Sequence, residues 1–153
     1  MKLTSRGHYG LRAMTELARA YGGGPIAVAD IAHSENLSEA YLEQLMGLLR
    51  RAGLVESIRG ARGGYRLTRH PSAVTVGEVV RALEGPIAPV ECASEAVGPG
   101  CCERVSDCAS RQLWQKVRDS IVTVLDSTTL ADLCHAEIAF DAGEGKGLAT
   151  GGQ

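Results

Sequence analysis

Four of the five cysteines in this 153-residue chain lie in one short segment, ECASEAVGPGCCERVSDC, at residues 91–108. They are Cys92, Cys101, Cys102 and Cys108, and mostly Gly, Pro, Ser and acidic residues separate them. Such thiols can form disulfides, bind a metal or cluster, or stay as plain thiols. Because neighbouring thiolates repel one another unless a cation shares their charge, the segment is a candidate site for zinc or for an iron–sulfur cluster.

The rest of the sequence favours ligation over disulfides. The N-terminus, MKLTSRGHYG, has no apolar signal region. No run of residues approaches the roughly 18 apolar residues of a membrane span. We therefore expect a cytoplasmic protein without a membrane segment, in a compartment where thiols stay reduced. An odd number of cysteines also fits an intramolecular disulfide framework poorly.

The cysteine spacing predicts three ligands. Zinc fingers usually place their cysteines in pairs that are two to four residues apart. Here eight residues separate Cys92 from Cys101, and five separate Cys102 from Cys108. Adjacent cysteines seldom both bind one metal well, so we expect one of Cys101 and Cys102 to be a spectator. The predicted ligands are Cys92, either Cys101 or Cys102, and Cys108.

Helices are predicted on both sides of the cysteine segment. Thr75-Val76-Gly77-Glu78 is a capping box that opens a helix before the segment. After it, apolar residues at helical spacing predict a long amphipathic helix at about 110–127. A last short helix is predicted at about 129–138, where Cys134 is expected to behave as a small apolar residue. The Gly-rich tail at 141–153 is predicted to be disordered.

The first half of the chain predicts three helices and a hairpin. The helices are expected at about 3–21, with Thr4 or Ser5 as the cap, at about 29–35, and from a cap at Ser38 onward. Two alternating segments with a tip of sequence RGARGG then predict a β-hairpin. This order is typical of a winged helix-turn-helix domain. The predicted fold class is therefore mainly α with a small β-hairpin.

Charge supports double-stranded DNA as the partner. Residues 1–70 hold ten of the 16 Lys and Arg residues but only six of the 18 Asp and Glu residues. The helix that follows Ser38 is expected to lie in the major groove, where Gln pairs with adenine and Glu accepts from cytosine. The wing-tip arginines suit the minor groove. The predicted contact residues of the helix and wing are Glu39, Tyr41, Glu43, Gln44, Arg59 and Arg62.

Several stretches of the chain resemble one known family. MKLTSRGHYGLRAM, YLEQLMGLLRRAGLVESIRGARGGYRL, TVGEVVRALEG and the cysteine segment resemble the iron–sulfur cluster regulators (IscR-like), also called the Rrf-two regulators. The resemblance covers about residues 1–135. It implies a homodimeric winged-helix transcription factor, and Ala40 replaces a hydroxyl residue common in relatives. The DNA contacts that it implies are Ser38, Tyr41, Glu43, Gln44 and Arg59.

The resemblance also implies an iron–sulfur cluster, 2Fe-2S or 4Fe-4S, on three loop cysteines and one further ligand. A five-residue gap before the last cysteine is usual in the family, so the resemblance favours Cys102 as the middle ligand. The best-known members have a ligating His where this chain has Arg111, which cannot ligate. Other members use an acidic residue near the start of the partner subunit's first helix, and the equivalent position here is His8. Because imidazole replaces thiolate at some iron–sulfur centres, His8 is the first candidate, with the spare cysteine and Asp107 as alternatives.

Together these patterns predict four parts and one function. The parts are a winged helix-turn-helix domain at 1–84, a cluster-binding loop at 85–109, a dimerisation helix and short C-terminal helix at 110–140, and a tail at 141–153. The predicted function is a homodimer on a palindromic operator. An iron–sulfur cluster that senses cluster supply, iron, nitric oxide or redox stress would control its affinity.

Two other functions are compatible with the sequence. One is a winged-helix regulator with a structural zinc or no metal, and the other is a thiol redox or electron-transfer protein. No CxxC motif, cofactor fingerprint or catalytic acid–base constellation is present. The sequence therefore predicts that the protein is not an enzyme.

Overall fold

The protein is described by a computed structural model over residues 3–98 and 108–143, with side chains up to residue 136. These stretches form α-helices and one two-stranded antiparallel sheet, which confirms the predicted fold class. Two short 3₁₀ turns lie at Pro71–Ala73 and Glu91–Ala93. The elements are α1 (Ser5–Arg19), α2 (Val28–Glu35), α3 (Glu39–Arg51), β1 (Val55–Ile58), β2 (Gly64–Leu67), α4 (Val76–Glu84), α5 (Ala109–Ser127) and α6 (Leu130–Gly143).

Two predicted N-caps are confirmed. The backbone N–H of Tyr41 donates to Ser38 Oγ over 3.2 Å at the start of α3. At α4 the Glu78 N–H donates to Thr75 Oγ1 over 3.2 Å, and the Thr75 N–H donates to Glu78 Oε2 over 2.9 Å. Both caps satisfy N–H groups that have no partner inside their own helix.

The cap of α1 differs from the prediction. Thr4 occupies the N-cap position, but its side chain makes no capping bond to the helix. The carboxylate of Glu84, at the end of α4, accepts from the Thr4 N–H over 3.2 Å and from the Gly7 N–H over 2.8 Å. A negative carboxylate at a helix N-terminus is also favoured by the helix dipole. The start of α1 is therefore held by a distant residue.

The last helix extends further than the sequence predicted. α6 continues to Gly143, so residues 141–143 are helical, and residues 144–153 lie outside the described residues. The sequence of α6 is rich in Ala, a strong helix former, and its first glycine is Gly143. Once a helix has begun, each further residue adds a hydrogen bond at little cost, so α6 continues past the predicted end.

The core lies among α1, α3, α4 and the hairpin. Each fully buried apolar side chain contributes roughly 1.5–3 kcal/mol relative to an exposed one. Leu130, at the start of α6, is also fully buried in this core, so the C-terminal helix packs on the first half of the chain. The largest fully buried side chains of the first 80 residues are Met14, Ile31, Leu42, Leu45, Met46, Leu49, Val55, Val74 and Val79.

The hairpin lies directly against the loop before α2. Its strands pair with Val55 opposite Leu67. Tyr65 of β2 exchanges two backbone hydrogen bonds with Ile26, of 2.8 and 2.9 Å. Gly64 has a φ of +156°, and a Cβ added there would lie 2.0 Å from the Ile26 carbonyl oxygen. Glycine at this position therefore lets the wing approach the helical core.

None of the helices in the described part of the chain combines the length and apolar character needed to cross a membrane.

Candidate DNA interface and cysteine site

α2 and α3 form the predicted helix–turn–helix. Asn36 takes a left-handed conformation, with φ of 54° and ψ of 46°, and it ends α2. The next residue, Leu37, donates its N–H to the Ala32 carbonyl over 2.8 Å, which closes the turn. Asparagine tolerates this conformation better than other residues with a side chain. The turn places the N-terminus of α3 at the molecular surface, where Glu39 is exposed.

The predicted contact residues of α3 fall into two groups. Glu43 and Gln44 are exposed, so their side chains are accessible to a duplex. Tyr41 is only partly exposed and packs against the hydrophobic core. Its position one turn before Leu45 explains this, because Leu45 lies on the buried face of the helix. The Ser38 hydroxyl is engaged in the cap described above.

The wing presents its two arginines to solvent. Arg59 and Arg62 are both exposed at the tip of the hairpin. Gly60, between them, has a φ of +123°, a conformation that other residues rarely adopt. A cleft of about 380 Å³ separates the wing from α3, and Glu43, Arg59 and Tyr65 are among its lining residues. α3 and the wing thus border one continuous surface.

One contact at this surface has no signal in the sequence. The Tyr65 hydroxyl lies 3.0 Å from Glu43 Oε2 and joins the wing to α3. Burial raises the pKa of Tyr65, and the hydrogen bond to Glu43 raises it further. The phenol therefore stays protonated at neutral pH and donates the hydrogen bond. In the sequence, the alternation of β2 indicates only that Tyr65 faces inward, and it does not indicate Glu43 as its partner.

The two described cysteines of the segment both neighbour α5. Cys108 is the N-cap of α5, and Cys92 lies in the 3₁₀ turn at Glu91–Ala93; both are half-buried. Arg111, in the first turn of α5, donates from Nε to the Cys92 carbonyl over 3.2 Å. Arg118 reaches the same turn, with Nη1 3.4 Å from the Ala93 carbonyl oxygen. Arg111 thus holds the turn that carries Cys92 against α5.

The donor chemistry of this site fits an iron–sulfur cluster. Cys108 stands at the N-cap of the 19-residue α5, and Cys92 lies in the 3₁₀ turn whose carbonyl accepts from Arg111 of that helix. Cysteine thiolates are the usual ligands of iron–sulfur clusters. The Cys108 sulfur lies 3.2 Å from the Ser110 hydroxyl oxygen. The described residues contain no group of three or more His, Cys, Asp or Glu side chains placed to hold a metal. The remaining predicted ligands of the segment, Cys101, Cys102 and Asp107, lie outside the described residues.

His8 lies apart from this pair of thiols in the chain itself. It is exposed in the first turns of α1, with its ring centroid 5.2 Å from that of Tyr9. It joins no metal-binding group within the described residues. The neighbouring Gly7 is bonded to Glu84, so α4 fixes the start of the helix that carries His8.

Cys134 behaves as the sequence predicted. It is half-buried and packs against the hydrophobic core, with its sulfur 4.0 Å from the Thr15 carbonyl oxygen. Burial raises the pKa of the Cys134 thiol, so the thiol is neutral near pH 7. A neutral, partly buried thiol is a small apolar group rather than a metal ligand.

An arginine that the sequence analysis did not single out connects the cysteine segment to both neighbouring helices. Arg81 of α4 lies 2.6 Å from Glu95 Oε1, just after the 3₁₀ turn, and 2.6 Å from Asp126 Oδ1 at the end of α5. Glu95 also accepts from the Ile87 N–H over 2.8 Å. Hydrogen bonds from Arg81 lower the pKa of both acids, so both stay charged at neutral pH.

Comparison with known proteins agrees with this architecture. The family model of Rrf2, described as an iron-dependent transcriptional regulator, matches residues 3–136. The chain is 50% identical to the HTH-type transcriptional regulator CymR of Bacillus subtilis (strain 168) over 133 residues, 87% of this chain and 89% of that protein. It is 36% identical to the HTH-type transcriptional regulator IscR of Escherichia coli over 141 residues, 92% of this chain and 85% of that protein.

Two solved structures are similar to the whole fold. The structure of CymR (YrzC), the global cysteine regulator of B. subtilis, has a TM-score of 0.74 and covers 89% of this chain and 98% of that one. T. potens IscR is 41% identical, with a TM-score of 0.73, and covers 96% of this chain and 94% of that one. These relatives are transcriptional regulators and not enzymes. The chain therefore belongs to the Rrf2 family of transcriptional regulators.

Proposed function

We propose that this regulator is a homodimer whose affinity for its operator is controlled by an iron–sulfur cluster. The proposed cluster ligands in one chain are Cys92, Cys102 and Cys108. The observation that carries the proposal is that both described cysteines of the segment neighbour α5: Cys108 is its N-cap, and Arg111 in its first turn donates to the Cys92 carbonyl.

In this proposal α3 reads the major groove and the wing reaches the minor groove. Glu43 and Gln44 are the exposed α3 residues with the chemistry to read base edges. Arg59 and Arg62 extend from the wing tip into the negative potential of the minor groove. Ser38 and Tyr41, which are engaged in the cap and the core, contact phosphates near the start of α3.

The dimer is proposed to form along α5. No residue of this helix is fully buried within the chain. Its exposed large apolar side chains are Leu113, Trp114 and Val124, with exposed fractions of 55%, 38% and 61%. A long helix with exposed apolar residues on one side is covered at low cost by a second copy of itself. Two-fold symmetry would then present two α3 helices to a palindromic operator.

The cluster would supply a cationic centre that shares the charge of the thiolates and can change oxidation state. Three donors come from one chain, and His8 of the partner subunit is the proposed fourth. Its side chain is exposed and joins no metal-binding group of the described residues in its own chain. Without such a centre Cys92 and Cys108 would lose the bonds that tie them to one common point.

α4 is the proposed route from the cysteine segment to the DNA-binding domain. Arg81 of α4 binds Glu95, three residues after Cys92. One turn later in α4, Glu84 caps the start of α1. A change in the position of Cys92 would therefore be passed through Glu95 and Arg81 to the helix that caps α1. A coupling free energy of about 1–3 kcal/mol, typical of allosteric proteins, changes operator occupancy by roughly 5–150-fold.

The test is anaerobic purification followed by a visible spectrum and by iron and sulfide analysis. We expect a coloured protein, loss of colour in Cys92→Ser and Cys108→Ser, and retained colour in the control Cys134→Ser. Operator affinity is then measured by fluorescence anisotropy before and after removal of iron. A colourless wild-type protein, or equal affinity in the two states, would contradict the proposal.

A regulator with a structural zinc or no metal is the second candidate. It is favoured by the 50% identity to CymR, whose solved structure is described as that of a global cysteine regulator. In that case the first half of the chain still binds DNA, but the purified protein is colourless. Zinc analysis of the same sample separates the metal-bound from the metal-free form.

A further inference from the structure

The surrounding structure holds both the backbone and the side chain of Tyr65 in place. Only 7% of it is exposed, and its backbone makes two hydrogen bonds to Ile26. Gly64, the preceding residue, permits this close approach of the strand. A tyrosine fixed at its backbone and ring has little freedom to move its hydroxyl. The phenol oxygen is therefore a fixed point beside the cleft between the wing and α3, which Tyr65 lines.

Glu43 is the partner of that fixed point. Its carboxylate is on the exposed side of α3, and Oε2 lies 3.0 Å from the Tyr65 hydroxyl. A glutamate on a helix surface otherwise samples many rotamers, and binding would have to restrict them. The hydrogen bond from Tyr65 selects one arrangement before DNA arrives. The Glu43 carboxylate is thus pre-organised.

A fixed carboxylate discriminates between bases better than a mobile one. A carboxylate only accepts hydrogen bonds, so it favours the amino groups of cytosine and adenine in the major groove. It is repelled by the acceptor oxygens of guanine and thymine. A mobile Glu43 turns away from an unfavourable base and tolerates it, whereas a held Glu43 keeps the repulsion in place.

We propose that Tyr65 is a specificity-determining positioning residue, whose buried hydroxyl holds the Glu43 carboxylate at the base edges. This inference rests on the proposed placement of α3 in the major groove. It assigns the wing a second part in DNA recognition, because β2 carries the residue that orients a side chain of α3.

The test uses duplexes that the wild-type chain selects from a randomised library. Binding of the wild-type protein and of Glu43→Ala is then measured on single base-pair variants of the selected duplex. The informative base pair is the one whose identity affects the affinity of the wild-type protein but not that of Glu43→Ala. At that base pair we compare the affinity for the duplex with the preferred base to the affinity for the duplex with the disfavoured base. Tyr65→Phe should lower this ratio by about 3–10-fold, the effect of one hydrogen bond. Most of the change should come from tighter binding of the disfavoured duplex. Tyr21→Phe, at a tyrosine that is 47% exposed, is the matched control and should leave the ratio unchanged.

A double variant separates positioning from a general structural effect. In the absence of the Glu43 carboxylate, Tyr65→Phe should have no further effect on the ratio. An unchanged ratio in Tyr65→Phe, or equal effects with and without Glu43, would overturn the inference. If the wild-type chain selects no duplex at all, the proposed DNA reading itself fails. The two failures are therefore distinguishable.

Discussion

Arg81 of α4 and Asp126 of α5 are joined by two hydrogen bonds, with Nη1 2.6 Å from Oδ1 and Nη2 3.0 Å from Oδ2. The same guanidinium binds Glu95 through Nε at 3.0 Å and Nη2 at 2.6 Å. A planar guanidinium can bind two carboxylates at once, which the point charge of lysine does less well. One side chain therefore connects the winged domain, the cysteine segment and the end of α5.

The first prediction concerns Gly77, where α4 and α5 meet. A Cβ added at Gly77 would lie 1.8 Å from Asp126 Oδ1. That carboxylate is held by Arg81, so it cannot move aside without losing the pair. We expect Gly77→Ala to lower the free energy of unfolding by about 1–3 kcal/mol, the usual cost of overpacking. Urea denaturation followed by circular dichroism measures this change.

Gly47 of α3 offers the matched control for that substitution. A Cβ added at Gly47 meets no heavy atom within 4 Å. Replacing a glycine inside a helix with alanine then stabilises by about 0.5–1 kcal/mol. Opposite signs for Gly77→Ala and Gly47→Ala are therefore expected. Equal stability of Gly77→Ala and the wild-type protein would mean that α4 and α5 do not approach so closely.

The second prediction concerns acid stability. Hydrogen bonds from Arg81 lower the pKa of Glu95 and of Asp126. Acids with a lowered pKa contribute stability above their ordinary pKa and lose it as the pH falls through the lowered one. The pairs should thus stabilise the fold at neutral pH and weaken below about pH 4. The effect is about 0.5–1 kcal/mol because the Asp126 side chain is 42% exposed.

Arg81→Met tests this source of stability. The variant keeps an apolar stem of similar length but lacks the charge that lowers both pKa values. Its urea midpoint should be lower than that of the wild-type protein at pH 7, and the two should converge as the pH falls towards 3. Parallel curves over this range would show that the Arg81 pairs contribute nothing to the acid transition.

The third prediction concerns the dimer. Val124 is 61% exposed on α5, and a charge there would have to be buried between two copies of the helix. We expect Val124→Glu to sediment as a monomer at concentrations where the wild-type protein is a dimer. Gln112→Glu adds the same charge about 100° around the helix from Leu113, and should remain dimeric. A dimeric Val124→Glu would place the interface elsewhere.

The fourth prediction concerns the wing. Arg59 is exposed at the tip, so Arg59→Ala should weaken operator binding. The dependence of log affinity on log salt should become shallower by up to about 0.9, the effect of one neutralised phosphate. Arg66→Ala is the control, because Arg66 Nε is engaged by Glu56 at 2.6 Å. In salt titrations of the three proteins, the slope of log affinity against log salt should be the same for Arg66→Ala as for the wild-type protein.

The fifth prediction concerns the proposed fourth ligand. Histidine ligands raise the reduction potential of iron–sulfur centres relative to thiolates. His8→Cys should therefore keep the visible colour and lower the midpoint potential, whereas His8→Ala should reduce the iron content. His33→Ala, at an exposed histidine of α2, should change neither property. An unchanged potential in His8→Cys would leave the spare cysteine or Asp107 as the fourth ligand.

Features that depend on a few neighbouring residues were predictable from the sequence. The caps at Ser38 and at Thr75 act within three residues, so the sequence alone shows both partners. The apolar spacing likewise predicted the helices and the hairpin, and the family followed from motifs within continuous stretches.

Relationships between distant residues came only from the tertiary structure. Glu84 caps α1 from 77 positions beyond Gly7, Arg81 binds Asp126 across 45 positions, and Tyr65 reaches Glu43 across 22. The charged members of these pairs are common surface residue types, and the sequence offers several possible partners for each of them. Periodicity indicates which face of a helix is buried, but the packing of helices decides which side chains meet. In this protein that packing connects the cysteine segment to the winged domain.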